Sequence, residues 1–213
     1  MTTPAPEAEL ATPAQSPRRL GSLGVALDKP IKALQAAYLR ESSSARADLA
    51  RLRRGIGKPA GSVPEIWELT IGAVPSKLAG KDDGLSRAEQ AAHTALTLYA
   101  MHQQSVSIPM HVAGVSFGRA VGRLRLVDQR SEQAVTRRFM AAATAVSIAE
   151  LLTHVRGLIT QLGSAELGMD YAAFADDVSK LLTPATAQAV RLRWGRDFYR
   201  TRPVNTEPSD DSE

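Results

Sequence analysis

The stretch RLRRGIGKPAGSVPEIW, residues 51 to 67, sets Arg51, Arg53, Arg54 and Lys58 around a glycine-rich turn. These are residue types that hold phosphate. A nucleotide-binding P-loop needs G-x-x-x-x-G-K-[ST], so that backbone N–H groups cradle the phosphates and the hydroxyl after the lysine binds magnesium. Here Gly55-Ile56-Gly57-Lys58 has the wrong glycine spacing, and Pro59 stands where the hydroxyl should be. A helix rather than a strand is expected before the loop. The turn therefore reads as a helix C-cap at Gly55, with Pro59 and Pro64 forbidding continuation.

Other chemistry is excluded by geometry. His93, His102 and His111 are spaced nine residues apart. Nine residues rotate a helix by about 900°, so His93 and His102 face opposite sides, and Pro109 separates His111 from them. No carboxylate stands at i+3 or i+4 of these histidines to complete a metal site. There is no G-x-S-x-G or H-E-x-x-H, and Asp176 and Asp177 are adjacent and point apart. No catalytic residue, metal or cofactor is expected.

What remains is cationic. Ala45, Leu49 and Leu52 fall at i, i+4 and i+7 and form a buried stripe. Arg46 and Arg53 project elsewhere, nearly in line, with Arg51 and Arg54 beside them. Such a row next to Lys58 can follow a phosphate backbone, because guanidinium forks bind phosphate bidentately. Cations in the last turn also offset the negative end of a helix dipole, and on charge alone both readings stand. In SFGRAVGRLR, residues 116 to 125, Phe117, Ala120, Val121 and Leu124 share one face while Arg119 and Arg123 are neighbours on another. Like charges one turn apart repel by a few tenths of a kcal/mol, so acidic neighbours or a bound anion must compensate. Gly114, Gly118 and Gly122 would let another backbone approach closely. Arg137 and Arg138 flank a core pair, Val135 and Phe139. In the last helix Val190, Trp194 and Phe198 read as core; Arg193, Arg196 and Arg200 form another face, and Asp197 is expected to pair with Arg193.

The composition fits helices that would carry these residues. The chain has 213 residues, 44% hydrophobic and 5% aromatic, with no cysteine. Ala, Leu, Arg, Gln and Glu lose little entropy in a helix. Disulfides and thiolate metal sites are excluded. No apolar run reaches the ~18 residues of a membrane span, and the N-terminus lacks the apolar core of a signal peptide. A soluble cytoplasmic protein is expected. Net charge is +4, but residues 18 to 58 hold ten Lys/Arg against Asp28, Glu41 and Asp48. Residues 119 to 138 hold six Arg against Asp128 and Glu132, and the tail after Pro203 is acidic. Clustered cations suggest a polyanion partner; a solvated basic face is the plain alternative.

Punctuation predicts an all-α fold of about nine helices and no strand. The first runs from Pro30 to Arg40, since proline suits the first helical position. The second starts after Ser43 or Ser44 and stops at Gly55, and a short one is opened by Pro64. Ser86 and Glu89 form an S-x-x-E capping box. Further helices cover Ser116 to Leu126 and Glu132 to Ala145. Ser147 and Glu150 give a second box, Asp170 caps YAAFADDVSKLL, and Thr183 with Pro184 opens the last helix through Arg200. Two small bundles are expected, over residues 25–130 and 131–202, between disordered tails at 1–24 and 203–213.

In order, ARADLARLRRG, PEIW, AAHTALTLYAMHQQS, MHVAGVSFGRAVGRLR, AVTRRFMAAATA, ELLTHVRGLITQL, DYAAFADDV and VRLRWGRDFYR resemble the CasB family over roughly residues 30 to 200. That family is the small subunit of the type I-E CRISPR surveillance complex, Cascade. The resemblance implies a two-lobed helical protein without catalytic activity or small-molecule substrate. It implies two copies stacked head to tail, in contact with the guide-bearing backbone subunits and the large subunit. It also implies a basic surface that helps hold guide RNA and target DNA, including the displaced strand of the R-loop. Charge placement and motif match together make Arg53, Arg54, Lys58, Arg119 and Arg123 the first candidates for nucleic-acid contacts, and Arg46, Arg51, Arg137 and Arg138 the second. The rival is a stand-alone duplex-DNA regulator, for which no helix-turn-helix spacing is found. A scaffolding subunit without nucleic-acid contact would use arginines too.

Overall fold

The computed structural model describes residues 18–81, 84–127 and 131–201. Among them are nine α-helices and no β-strand. They are α1 (Ser22–Leu39), α2 (Ser43–Arg53), α3 (Trp67–Thr70), α4 (Arg87–His102), α5 (Phe117–Leu124), α6 (Glu132–Thr144), α7 (Ile148–Ser164), α8 (Tyr171–Leu181) and α9 (Pro184–Arg200). Pro64 opens a short 3-10 turn that leads into α3.

Local signals set most boundaries. Ser86 Oγ accepts the Glu89 N–H while Glu89 Oε2 accepts the Ser86 N–H, so the box at the start of α4 is closed both ways. The second box is half closed: Ser147 Oγ accepts from Glu150 N–H, but the Glu150 carboxylate takes the N–H of Val146 at 3.0 Å instead of that of Ser147. Asp170 caps α8 through the N–H groups of Ala172 and Ala173.

α1 departs from expectation. It begins at Ser22 rather than Pro30, and Pro30 lies inside it. Leu23, Leu27 and Ile31 are all buried and form one stripe that passes through the proline. Burying that stripe outweighs the one hydrogen bond that an exposed Pro30 removes. Residues 18–24, assigned above to a tail, thus belong to the fold; the rest of that segment, and residues 203–213, lie outside the described residues.

One contiguous core joins helices from both sides of residue 130. α4 lies centrally against α2, α7 and α8; α1 packs on α8, α6 on α7 and α5 on α9. The α5–α9 contact is backbone to backbone. A Cβ on Gly118 would lie 2.2 Å from the Trp194 carbonyl oxygen, and one on Gly122 would lie 2.7 Å from that of Phe198. The expected close approach is thus real at two of the three glycines. Gly114 instead serves a turn, with φ +79° and its N–H donated to Asp170. Phe117 meets Trp194 at 4.6 Å between centroids, and Phe139 stacks on Phe198 at 4.2 Å.

Arg18 ties the N-terminal segment to the far end of the sequence. Its Nη2 donates to Asp28 at 2.6 Å and to Asp170 at 2.8 Å, and its Nε to Asp170 at 2.5 Å. Burial alone would push the Asp170 carboxyl up, but Arg18 and the backbone N–H donors outweigh it and hold it below the ordinary range. The Arg18 hydrogen bond also holds Asp28 far below that range.

Two outcomes are expected. Arg18→Ala strips the partner from a buried carboxylate and costs about 3 kcal/mol, read as a lower urea midpoint. Both carboxylates are depressed below their ordinary value of 3.8. The stability they add is therefore full above that pH and is lost as pH falls through their folded values, so the gap between wild type and variant closes in acid. Separately, Gly118→Ala prises α5 from α9 and costs about 2 kcal/mol. By contrast Gly195→Ala, with nothing within 4 Å of its added methyl, gains up to ~1 kcal/mol in helix propensity; both are read by thermal unfolding.

Candidate nucleic-acid interface

The loop after α2 is shaped by missing atoms. Gly55 is not left-handed, contrary to its reading as a C-cap; the positive φ falls at Gly57, +71°. Gly55 is needed for space, because a Cβ there would come within 2.7 Å of Ile66 Cδ1, 3.0 Å of Thr97 Cγ2 and 3.1 Å of His93 Cε1. The loop is tied to α4 by the His93 Nε2–H, which donates to the Gly55 carbonyl at 3.1 Å. Burial lowers the pKa of His93, and a neutral ring can donate through this one nitrogen. Lys58 is thus held at the edge of α4 by an uncharged contact.

Not all of the candidate cations are equally free. Arg51 pairs with Asp48 on the same helix and donates to the Glu65 carbonyl. Arg46 pairs with Glu41 at 3.5 Å, and Arg54 lies 3.8 Å from the Glu65 carboxylate. The Arg46 and Arg54 pairs, exposed on both sides, contribute ~0–1 kcal/mol and are easily exchanged, whereas Asp48 is half-buried and holds Arg51. Arg53, Lys58, Arg119, Arg123, Arg137 and Arg138 have no ion-pair partner among the described residues. The repulsion between Arg119 and Arg123 therefore has no acidic compensation among those residues. Asp197 is engaged by the Ser116 hydroxyl at 2.6 Å. Arg193 does not reach it; it pairs with Asp177, a buried carboxylate that also accepts the Trp194 Nε1–H at 2.7 Å. The partner thus comes from α8, across the helix interface, rather than from the next turn of α9.

Three cations are brought into sequence in space. Arg156 Nη1 would lie 3.3 Å from a Cβ on Gly57, and Arg138 Nη1 3.2 Å from one on Gly157. Lys58, Arg156 and Arg138 thus run from the loop, across α7, to α6. Arg156 stands in no motif of its own; the available signal is that it is the one Lys/Arg in α7. Lys58 and Arg156 also line a groove of about 520 Å³ between the loop, α4, α7 and α8. Arg119 and Arg123 form a separate pair on α5. Arg125 is structural: it lies over the Phe198 ring at 4.9 Å and pairs with Glu132 at 3.5 Å.

His93 turns to the Gly55 carbonyl, whereas His102 and His111 both meet Tyr171. His102 meets the Tyr171 hydroxyl at 2.9 Å, whereas His111 accepts the Tyr171 N–H. Burial lowers His102 to about 4. Among the described residues no three His, Cys, Asp or Glu gather closely enough to hold a metal ion, and no helix is long and apolar enough to cross a membrane.

Fold and surface define an all-α protein in which, among the described residues, cations without an ion-pair partner stand on the loop after α2 and on α2, α5, α6 and α7. The sequence over residues 48–199 matches the family model of CRISPR-associated protein Cse2. The chain is similar to the crystal structure of CasB from Thermobifida fusca, with 34% identity over 85% of this chain and 99% of that one, at a TM-score of 0.70. It therefore belongs to the Cse2/CasB family of CRISPR-associated proteins. CasB from Thermus thermophilus shares the fold, at 23% identity, with a TM-score of 0.62 over 84% of this chain and 99% of that one. A CRISPR-associated protein of the Cse2 family, also from Thermus thermophilus, does likewise, at 22% identity over 84% and 97% of the two chains and the same score. No curated protein matches the chain.

Proposed function

We propose that this chain is the non-catalytic small subunit of a type I-E Cascade ribonucleoprotein, in which it grips the nucleic-acid backbone and stabilises the R-loop and its displaced strand. Family membership implies a role within Cascade. The observation that carries the nucleic-acid reading is the set of cations without carboxylate partners among the described residues: Lys58, Arg156 and Arg138 on neighbouring segments, and Arg119 beside Arg123. A bound polyanion supplies the compensation they lack. Its partners on this reading are the backbone and large subunits, a second copy of itself, the guide RNA and the target DNA, in the cytoplasm.

Backbone charge suffices for such a subunit. By analogy with Cas9-type effectors, guide pairing reads sequence and the exchange of one duplex for another is nearly balanced, so a few phosphate contacts can tip it. The core rings Phe117, Phe139, Phe174, Trp194 and Phe198 are buried, while Trp67 and Tyr199 are exposed; a grip made through backbone phosphates is sequence-blind and strongly salt-dependent.

Arg53→Glu and Arg119→Glu, each placed in the purified ribonucleoprotein, are expected to weaken R-loop retention. Each should lower the slope of log affinity against log salt by about one unit per lost contact, with circular dichroism unchanged. Arg51→Ala, whose side chain already serves Asp48, should leave that slope alone. Retention unaffected by either charge reversal refutes the assignment. Tight binding of the isolated chain to one short duplex favours the stand-alone regulator.

A further inference from the structure

The groove beside Lys58 has a chemistry that the cationic surface does not need. Its wall carries aliphatic side chains, among them Leu98, Leu152 and Val178. Its polar lining consists largely of acceptors. The Thr94 hydroxyl donates its proton to the Gln90 carbonyl at 2.9 Å, and that of Thr153 to the Ala149 carbonyl at 2.9 Å. Each oxygen is left with lone pairs only. The Gln90 amide nitrogen is engaged by the Leu85 carbonyl at 3.3 Å, which leaves its Oε1 as the free end. Lys58 and Arg156 contribute the positive charge of this lining.

An acidic peptide would satisfy the cations but would bring carboxylates against these acceptors. A nucleobase does the opposite: every base carries at least one N–H donor on its edge and an apolar face, and its phosphate is attached outside. A volume of about 520 Å³ falls within the ~300–1,000 Å³ of ordinary small-ligand pockets. We propose that this groove receives one unstacked nucleotide of a single strand, its base against Leu98 and Leu152 with its edge N–H turned to the acceptors of Gln90, Thr94 and Thr153, and its phosphate held by Lys58 and Arg156. The site rests on the nucleic-acid reading above and adds a base contact to it. Because all four bases carry such donors, it stays sequence-tolerant. It would pin a single strand at one point, where phosphate contacts alone let it slide.

The test compares a twelve-nucleotide thymidine strand with an abasic strand of the same length and charge, on the full chain, by fluorescence anisotropy. The thymidine strand should bind about tenfold tighter, which is ~1.4 kcal/mol, with the same salt slope, since the phosphates are equal. Ala149→Trp fills the groove from an exposed position on α7 and should reduce thymidine-strand affinity to the abasic level while leaving the abasic strand unchanged. As a check independent of that variant, thymidine monophosphate should compete on wild type better than ribose 5-phosphate. Equal affinity of the two strands, or no preference between the two competitors, overturns the base site and leaves the phosphate reading standing. Failure of both strands to bind removes the nucleic-acid reading and the groove proposal together.

Discussion

The side chain of Asp170 is fully shut off from solvent and accepts from Arg18, Gly114 and the first turn of α8. A lone carboxylate there would be heavily destabilising; with these donors it fixes three separate segments to one another. Asp176 and Asp177, further along α8, hold the N-terminal segment a second time and the C-terminal helix. Asp176 accepts the N–H groups of Gly21 and Gly24 at 2.6 and 3.0 Å. It thereby serves the otherwise unpaired donors of a helix that has no side-chain cap of its own. Asp177 faces α9 and takes Trp194 and Arg193. Three acids of DYAAFADDV thus address the N-terminus, the α4–α5 connection and the C-terminal helix, and the fold is assembled around α8.

This arrangement has a consequence for charge. The net excess of +4 is modest, yet Asp170, Asp176, Asp177 and Glu89 are buried and consumed by structural donors. The solvent-facing surface is therefore more positive than the total suggests. The same reasoning discounts the cluster at residues 18 to 58. Arg18 is bound to Asp170 and Asp28, Lys32 lies 2.7 Å from Asp28, and Arg51 is bound to Asp48. Arg51 and Arg53 stand two residues apart on α2, but among the described residues only the first has a carboxylate within reach.

Features decided within one or two turns were legible in the sequence. The stripes Ala45–Leu49–Leu52 and Val190–Trp194–Phe198 are buried, the Ser86 box closes, and Asp170 caps α8. Features decided across the fold were not. Proline at position 30 imitates a helix start, because what extends α1 backward is burial of Leu23 and Leu27 and two hydrogen bonds from a residue some 150 positions away. Arg193 has an acid one turn on, and its partner is on another helix. Gly55 and Gly118 resemble a cap and a spacer alike in one dimension; the atoms that a side chain would meet are known only once α4 and α9 are in place. Charge density singled out Lys58 and Arg138 as candidates, but their placement beside Arg156 needed the packing of α6, α7 and the loop.

The site's geometry therefore depends on atoms that are absent. Gly55 lacks the Cβ that would strike Ile66, Thr97 and His93, and Gly57 takes a backbone angle that most residues resist. Together they bring the chain down onto α4, where the His93 ring can hold it, and turn it toward Arg156. A side chain at position 55 would lift the loop and carry Lys58 away from α7, with no charge altered. The spacing of these cations is thus set by steric constraints in the layer beneath them.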